Sequence, residues 1–475
     1  MGNVLVNETS LTNIANAIRA KEGEQAGGTM TPAQMPTRIA NLPSGGVISV
    51  ESVTINIYSG TTQNRFLRPD GSEGKGDLAV SATVLPANAT IPDLKWTSSN
   101  TAVATIVYDG ANDAYKVHAV GVGSATITAT SVESGESDSF TVVVATPTWT
   151  DIQAQVRAGT ILDIMDIGDV VPTVVDFKKT SSSHTVYNTS VRLVHILDTS
   201  AKQAKYGLNS NAAIFQYTHA TVQSISFDAA ETALEATEET AQEGVYYYGW
   251  TSGTTYTPLN LATGDTIPYG DYGKVYKSSI NTNGTYYNQI RGNGWNNWKY
   301  SMIRQWLNSD AAPSSQEWFT PSHIGDGTPS NTVLNYAGWM NDIDQTLASI
   351  VVPVTIGTAA NTVTDGGATY TTTDKFFLPS KEEVYFQPQV AGAEGEVWDY
   401  YKQNNAYANA NDNNATSRII RTYPTTSSPD NWASWWLRSA NRSSAYGAFC
   451  ASNNGSAYFN GANYGYYIAP ACVIA

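Results

Sequence analysis

The sequence predicts a mainly β protein with short N-terminal helices and an α+β C-terminal region. Three observations predict it: helical periodicity confined to residues 1–46, alternating strands over 47–146, and an aromatic, Gly- and Asn-rich stretch over 149–475. A chain of 475 residues is long for one core, so several domains are expected. The 41 acidic and 26 basic side chains give a formal charge of −15, which leaves no source for phosphate neutralisation. Nucleic acid is therefore not an expected partner. Charged residues make up only 14% of the chain, whereas Tyr (28), Trp (12) and Gly (38) are abundant, a composition that suits rigid extracellular modules and evolved binding surfaces.

In the first segment Leu11, Ile14, Ala15 and Ile18 recur at helical spacing, with Thr9 or Ser10 placed to cap them. Residues 30–42 give a second short helix, with Pro32 in its first turn, where a missing N–H costs least. Pro43-Ser-Gly-Gly46 then reads as a linker. The runs Ile14-Ala-Asn-Ala-Ile-Arg19 and Met30-Thr-Pro-Ala-Gln-Met-Pro36 resemble the N-termini of tail proteins from phages of Gram-positive bacteria. That resemblance implies attachment to a tail, or oligomerisation. The apolar stripes of Leu11, Ile14, Ile18, Ile39 and Leu42 need a partner surface, and a homotrimer is the expected assembly. The opening residues lack a basic stretch followed by an apolar run, and no segment approaches the length of a membrane span. Neither export by a signal peptide nor membrane insertion is expected.

Over 47–146 the period becomes two. Val53-Thr-Ile-Asn-Ile57, residues 78–84 and residues 124–130 are strands separated by turn residues, and about seven such strands make a small β-sandwich. Residues 85–90, 94–106 and Val120-Gly-Val-Gly-Ser-Ala-Thr-Ile-Thr-Ala129 resemble the bacterial immunoglobulin-like domain of group 2. The resemblance implies that Trp96 fills the core and that the domain is a spacer or adhesion module.

From Trp149 the chain shows no internal repeat. Residues 226–242 read as a surface helix with a solvated acidic face, residues 301–308 as a second helix, and residues 381–385 as a third. No nucleophile elbow, phosphate loop or His-Glu-x-x-His motif is present, and His118, His184, His195, His219 and His323 are scattered. No enzymatic activity, cofactor or metal is expected. Asp326, Asp342 and Asp344 are the loop carboxylates a structural calcium would draw on. Cys450 and Cys472 can form a disulfide only if their Cα atoms approach within about 7 Å; two free thiols are the alternative.

The informative stretch lies between two apolar frames, residues 432–440 and 468–474. Residues 441–467 contain no Lys, Glu, Gln, Met or Trp. These are the residue types that an Asn codon ending in C or T cannot reach when its adenines are mutated. By composition alone, such an absence has a chance of ~2%. With residues 301–308, residues 374–380, the Trp435-Trp-Leu-Arg-Ser439 frame and the terminal Ala469-Pro-Ala-Cys472, this part resembles the variable proteins of diversity-generating retroelements. The family implies a C-type-lectin-like fold over 149–475. It also implies an exposed diversified face at Asn441, Ser443, Ser444, Tyr446, Ser452, Tyr458, Phe459, Asn460, Asn463, Tyr464 and Tyr466, with Ala445, Gly461 and Tyr467 beside them. The calcium loops of sugar-binding C-type lectins are not evident in the sequence.

The expected function is therefore that of a phage tail receptor-binding protein on the virion. Its partners would be tail proteins and a protein or glycan receptor on the host surface. A bacterial surface or secreted adhesin with the same variable domain is the alternative. An oxidase of the formylglycine-generating type, which the same fold hosts, would need Cys450 and Cys472 to hold copper.

Overall fold

The computed structural model describes residues 47–58, 64–110, 114–221, 223–404, 415–423 and 431–475, together with 12, 14–18, 31, 34 and 35. The chain is mainly β with short helices. In the N-terminal segment, residues 14–18 are helical, and Ala15 and Ile18 bury against Met35. The two short segments thus cover part of their own apolar stripe, while Ile14 stays exposed. Thr9, Ser10, Leu11, Ile39 and Leu42 lie outside the described residues.

Alternation builds the sandwich. One sheet runs in the order Ser52–Ile57, Leu78–Leu85, Ala114–Ala119, Ala104–Asp109, and the facing sheet Asn64–Phe66, Ser137–Ala145, Gly123–Ser131, Leu94–Ser98. Every second residue points inward, so Leu78, Val80, Val117, Ile127, Val142 and Val144 form the core. Trp96 departs from its expected place at the centre: it is half-buried at the edge of that core and packs against Tyr115, 5.0 Å between ring centroids. The sandwich is clamped to the next region by Arg68, which pairs with Asp166 (2.9 Å) and Asp169, and by Lys75, which pairs with Asp166 at 2.6 Å.

The C-terminal region starts on the helix Trp149–Ala158, closed at its N-terminus by a reciprocal Thr148–Asp151 capping box and at its end by Gly159 in the left-handed conformation. Its main sheet runs Val351–Val352, Ala471–Ile474, Ala212–Tyr217, Ser183–Leu197, Val170–Thr180, with Phe376–Phe377 also paired to Ala471–Ile474. The last strand therefore sits inside the sheet, and Gln153 and Arg157 of the first helix donate to the Ala475 carbonyl. A smaller three-stranded sheet, Trp435–Ala440, Gly447–Ala451, Ala457–Gly461, stands on the same core. Among the described residues, no helix is long and apolar enough to cross a membrane.

Two helix expectations are corrected. Residues 226–242 form no helix: their backbone is spent on distant partners, Asp228 N–H on the Ala462 carbonyl, Glu231 on Ile290, Thr232 on Gly325 and Ala236 on Val275. Asp228 and Glu231 are buried while Glu235 and Glu239 stay exposed, so the acidic residues do not share one solvated face. Residues 381–385 make a single turn, because Tyr385 takes φ 64 and ends it with a Phe386 N–H to Lys381 carbonyl bond. The helix Met302–Leu307 lies where its spacing predicts, with Ser301 at its N-cap.

Asp342 and Asp344 have duties of their own. Asp344 caps the helix Gln345–Ile350 through the N–H groups of Thr346 and Leu347. Asp342 accepts from the Lys178 N–H at 3.1 Å, and burial pushes its carboxyl up to about 8. An unfolded Asp titrates near ~4, so between about pH 4 and pH 8 the folded protein keeps a proton that the unfolded chain has released. This contribution is fully present below the unfolded value, is lost as pH rises through that window, and is flat above it. Asp342→Asn is therefore expected to gain on the wild type by roughly 2 kcal/mol between pH 5 and pH 8, read from urea unfolding at the two pH values.

Candidate ligand-binding face

The frame residues Trp435, Trp436 and Leu437 are wholly buried. Trp436 donates its indole N–H to the Ile225 carbonyl (2.9 Å) and meets Phe227 and Tyr466 edge-on. Trp435 donates to the Arg418 carbonyl. Behind them, Arg438 is buried against Glu383, which also accepts from the Tyr206 hydroxyl (2.9 Å) and the Ser380 N–H (2.8 Å). Bulky, hydrogen-bonded scaffold of this kind fixes the strands that carry residues 441–467.

On that scaffold Ala457–Gly461 is the edge strand of the three-stranded sheet, and its side chains project to both sides. Tyr458 (54%), Phe459 (44%) and Tyr464 (54%) are exposed. Phe459 lies across from Phe449, rings 5.8 Å apart, and the Tyr458 ring lies beside Phe459, centroids 6.1 Å apart and nearly parallel. Asn460 donates to the Tyr466 hydroxyl at 3.1 Å, and burial followed by neighbours including Tyr458 and Tyr464 raises the Tyr466 phenol. Tyr446, Ser452, Asn463, Tyr466 and Tyr467 are half-buried, Ser443 is exposed, and Ala445 and Gly461 are buried. The polar members mostly hold turns: Ser444 Oγ accepts from the Tyr446 and Gly447 N–H groups, Ser452 Oγ donates to Asn454, and Asn463 donates to the Gly292 carbonyl. Asn441 departs from the expectation of an exposed contact residue. It is only 7% exposed, and its Oδ1 accepts from the N–H and hydroxyl of Ser443. On the Phe459 side a shallow cavity of about 520 Å³ opens between Arg442, Ser443, Phe449, Lys381 and Gln389.

One residue outside the segment fastens it. The side-chain amide of buried Asn296 reaches the carbonyls of Ser444 (2.8 Å), Gly447 (2.9 Å) and Asn441 (3.3 Å), and its oxygen accepts from Asn361. Asn296→Ala takes the side-chain donor from the Ser444 carbonyl and leaves those of Gly447 and Asn441 with their backbone donors, the N–H groups of Asn441 and Ser444. It is expected to cost about 2 kcal/mol and to open residues 441–447 to limited proteolysis.

Two further groupings escaped sequence reasoning, because each is assembled from segments far apart in the chain. A cleft of about 330 Å³ has Trp295 stacked on Tyr300 (5.1 Å, 9°), with Asp365 accepting from the Trp295 indole at 3.0 Å and from Asn297 at 2.8 Å. Against the back of that aromatic pair lies His323, with Glu231 and Asp326. Cys450 and Cys472 are free thiols, and burial pushes Cys450 up to about 12 and Cys472 higher still.

Compared with known families, residues 274–475 match a family described as Domain of unknown function (DUF6273). None of the curated proteins compared with the chain matches it. Residues 74–142 match the bacterial Ig-like domain of group 2, so the β-sandwich in the first third of the chain is a domain of that family.

Proposed function

We propose that residues 441–467 form a diversified ligand-binding face on a C-type-lectin-like domain, and that the chain is a phage tail receptor-binding protein recognising a host-surface protein or glycan. One observation carries this reading: Tyr458, Phe459 and Tyr464 stand exposed on and beside one outer strand of a three-stranded sheet whose opposite strand carries the wholly buried Trp435 to Leu437. Changes on the outer side cost the fold little, whereas changes in the layer below open cavities. Tyr and Phe offer contact area with few rotors to freeze, and the surrounding Ser, Asn and Gly adapt their hydrogen bonds to many partners. The absence of Lys, Glu, Gln, Met and Trp from the segment supports adenine-directed diversification. Pairing of Ala212–Tyr217 with the terminal Ala471–Ile474 supports a single domain over 149–475. In this reading residues 1–46 join the chain to the tail and to two further copies, with exposed Ile14 left for that contact. Several copies of one face turn weak single-site binding into avidity.

Binding of the full-length chain to a panel of Gram-positive cells tests the proposal, set beside a variant carrying Tyr458→Ser, Phe459→Ser and Tyr464→Ser. The wild type is expected to bind at least one strain and the variant to lose roughly 100-fold or more, with an unchanged melting temperature. Equal binding by the two proteins would defeat the face. A bacterial adhesin is the alternative that the Ig-like domain favours; immunogold labelling of released virions against cell surfaces separates the two.

A further inference from the structure

The loop expected to be a solvated acidic helix instead delivers two carboxylates into the interior. Glu231 places both oxygens 3.0 and 3.1 Å from His323 Nε2, and Asp326 Oδ2 lies 3.7 Å from His323 Nδ1. One donor atom from each of the three residues lies within 4.8 Å of the others. Asp228 is buried beside them, its oxygens accepting from the Trp295 and Met302 N–H groups. The Asp326 side chain is wholly buried. Its Oδ2 accepts from the Ser322 N–H and hydroxyl, but its Oδ1 has no hydrogen-bond donor. Three interior carboxylates set against one imidazole are costly to ionise together in a low-dielectric site, and a bound cation offsets that cost.

We propose that Glu231, His323 and Asp326 bind one divalent cation of the zinc and manganese class, with Asp228 adding to the attraction from the next position. The ligand chemistry selects the class: an imidazole nitrogen with carboxylate oxygens suits first-row transition ions, whereas calcium and magnesium take oxygen ligands. The spacing agrees, since neighbouring ligands on an ion held at about 2.1 Å stand roughly 3 Å apart, the distance between His323 Nε2 and Glu231. The cation takes the place of the hydrogen bond between His323 Nε2 and Glu231, and Asp326 supplies the third donor atom. His323 also packs edge-on against Trp295 and Tyr300, which line the 330 Å³ cleft.

The position gives the ion a structural duty. The loop that carries Glu231 sets Phe227 beneath Trp436 and Trp298, and ties Asp228 to the Ala462 carbonyl. A cation there pins the support of residues 441–467, whether or not those residues bind a ligand.

The test uses the full-length chain, stripped with a chelator and titrated with Zn²⁺ by calorimetry, with metal content measured after gel filtration. One retained equivalent per chain and a melting temperature raised by several degrees are expected. Glu231→Gln and His323→Ala should each weaken Zn²⁺ binding by about 100-fold or more, while His184→Ala, which removes an exposed His–Asp pair, leaves it intact. Co²⁺ reports on the unmutated protein through its visible spectrum, which is expected to show mixed nitrogen and oxygen ligation. No retained equivalent in the wild type would overturn the proposal. So would loss of the ion in His184→Ala with retention in Glu231→Gln, or tight Ca²⁺ binding without Zn²⁺ binding.

Discussion

Arg438→Ala is expected to destabilise the C-terminal region by about 3 to 5 kcal/mol, because removing one partner of a buried ion pair leaves the other charge uncompensated. Arg438 and Glu383 are both without solvent exposure. The guanidinium also donates to the carbonyls of Leu378 (2.9 Å), Glu394 (2.7 Å) and Gly357 (3.2 Å), so the alanine variant takes a donor from three carbonyls, of which that of Glu394 keeps the Ser380 hydroxyl, as well as the counter-charge from a carboxylate. The residue lies between the two frame tryptophans and residues 441–467, and the loss should reach the strands that carry Tyr458 and Phe459. Denaturant unfolding followed by Trp fluorescence measures it. A midpoint within error of the wild type would mean that the network contributes nothing net.

Trp436→Ala is expected to cost a similar 3 to 5 kcal/mol, the range for an aromatic side chain deleted from a close-packed interior. Its indole fills the space between Phe227 and Tyr466 and satisfies the Ile225 carbonyl. For a region of this size that corresponds to a fall of roughly 4 to 7 °C in melting temperature. The contrast with the exposed aromatics matters more than the absolute value. Trp436 and Tyr466 touch, yet Tyr466→Ser should cost far less, because its hydroxyl end is open and bonded only to Asn460.

Much of the fold is legible in the sequence where one local signal suffices. The sandwich strands follow from strict alternation, since a one-residue slip would turn Val80, Ile127 and Val142 outward. The helix Met302–Leu307 follows from its apolar spacing, and the burial of Trp435 to Leu437 from an apolar run too dense for a surface. Residues 226–242 mislead for the opposite reason. Their Ala, Glu and Thr content satisfies helix propensity, but tertiary hydrogen bonds to Ala462, Ile290, Gly325 and Val275 outweigh it. The Glu231 and His323 pairing spans 92 positions, and the Trp295 and Asp365 pairing spans 70; no local motif announces either. Within the candidate face, residue type marked the exposed aromatics, whereas Asn441 turned inward because a short amide serves a turn as readily as a ligand.

The central claim is that residues 441–467 are a rewritten surface, and sequencing the DNA on both sides of the gene tests it most directly. A near-copy of the codons for residues 435–474 is expected beside a reverse-transcriptase gene, differing from the coding strand only where the copy carries adenine. No second copy, or a copy whose differences fall on all four bases alike, would contradict it.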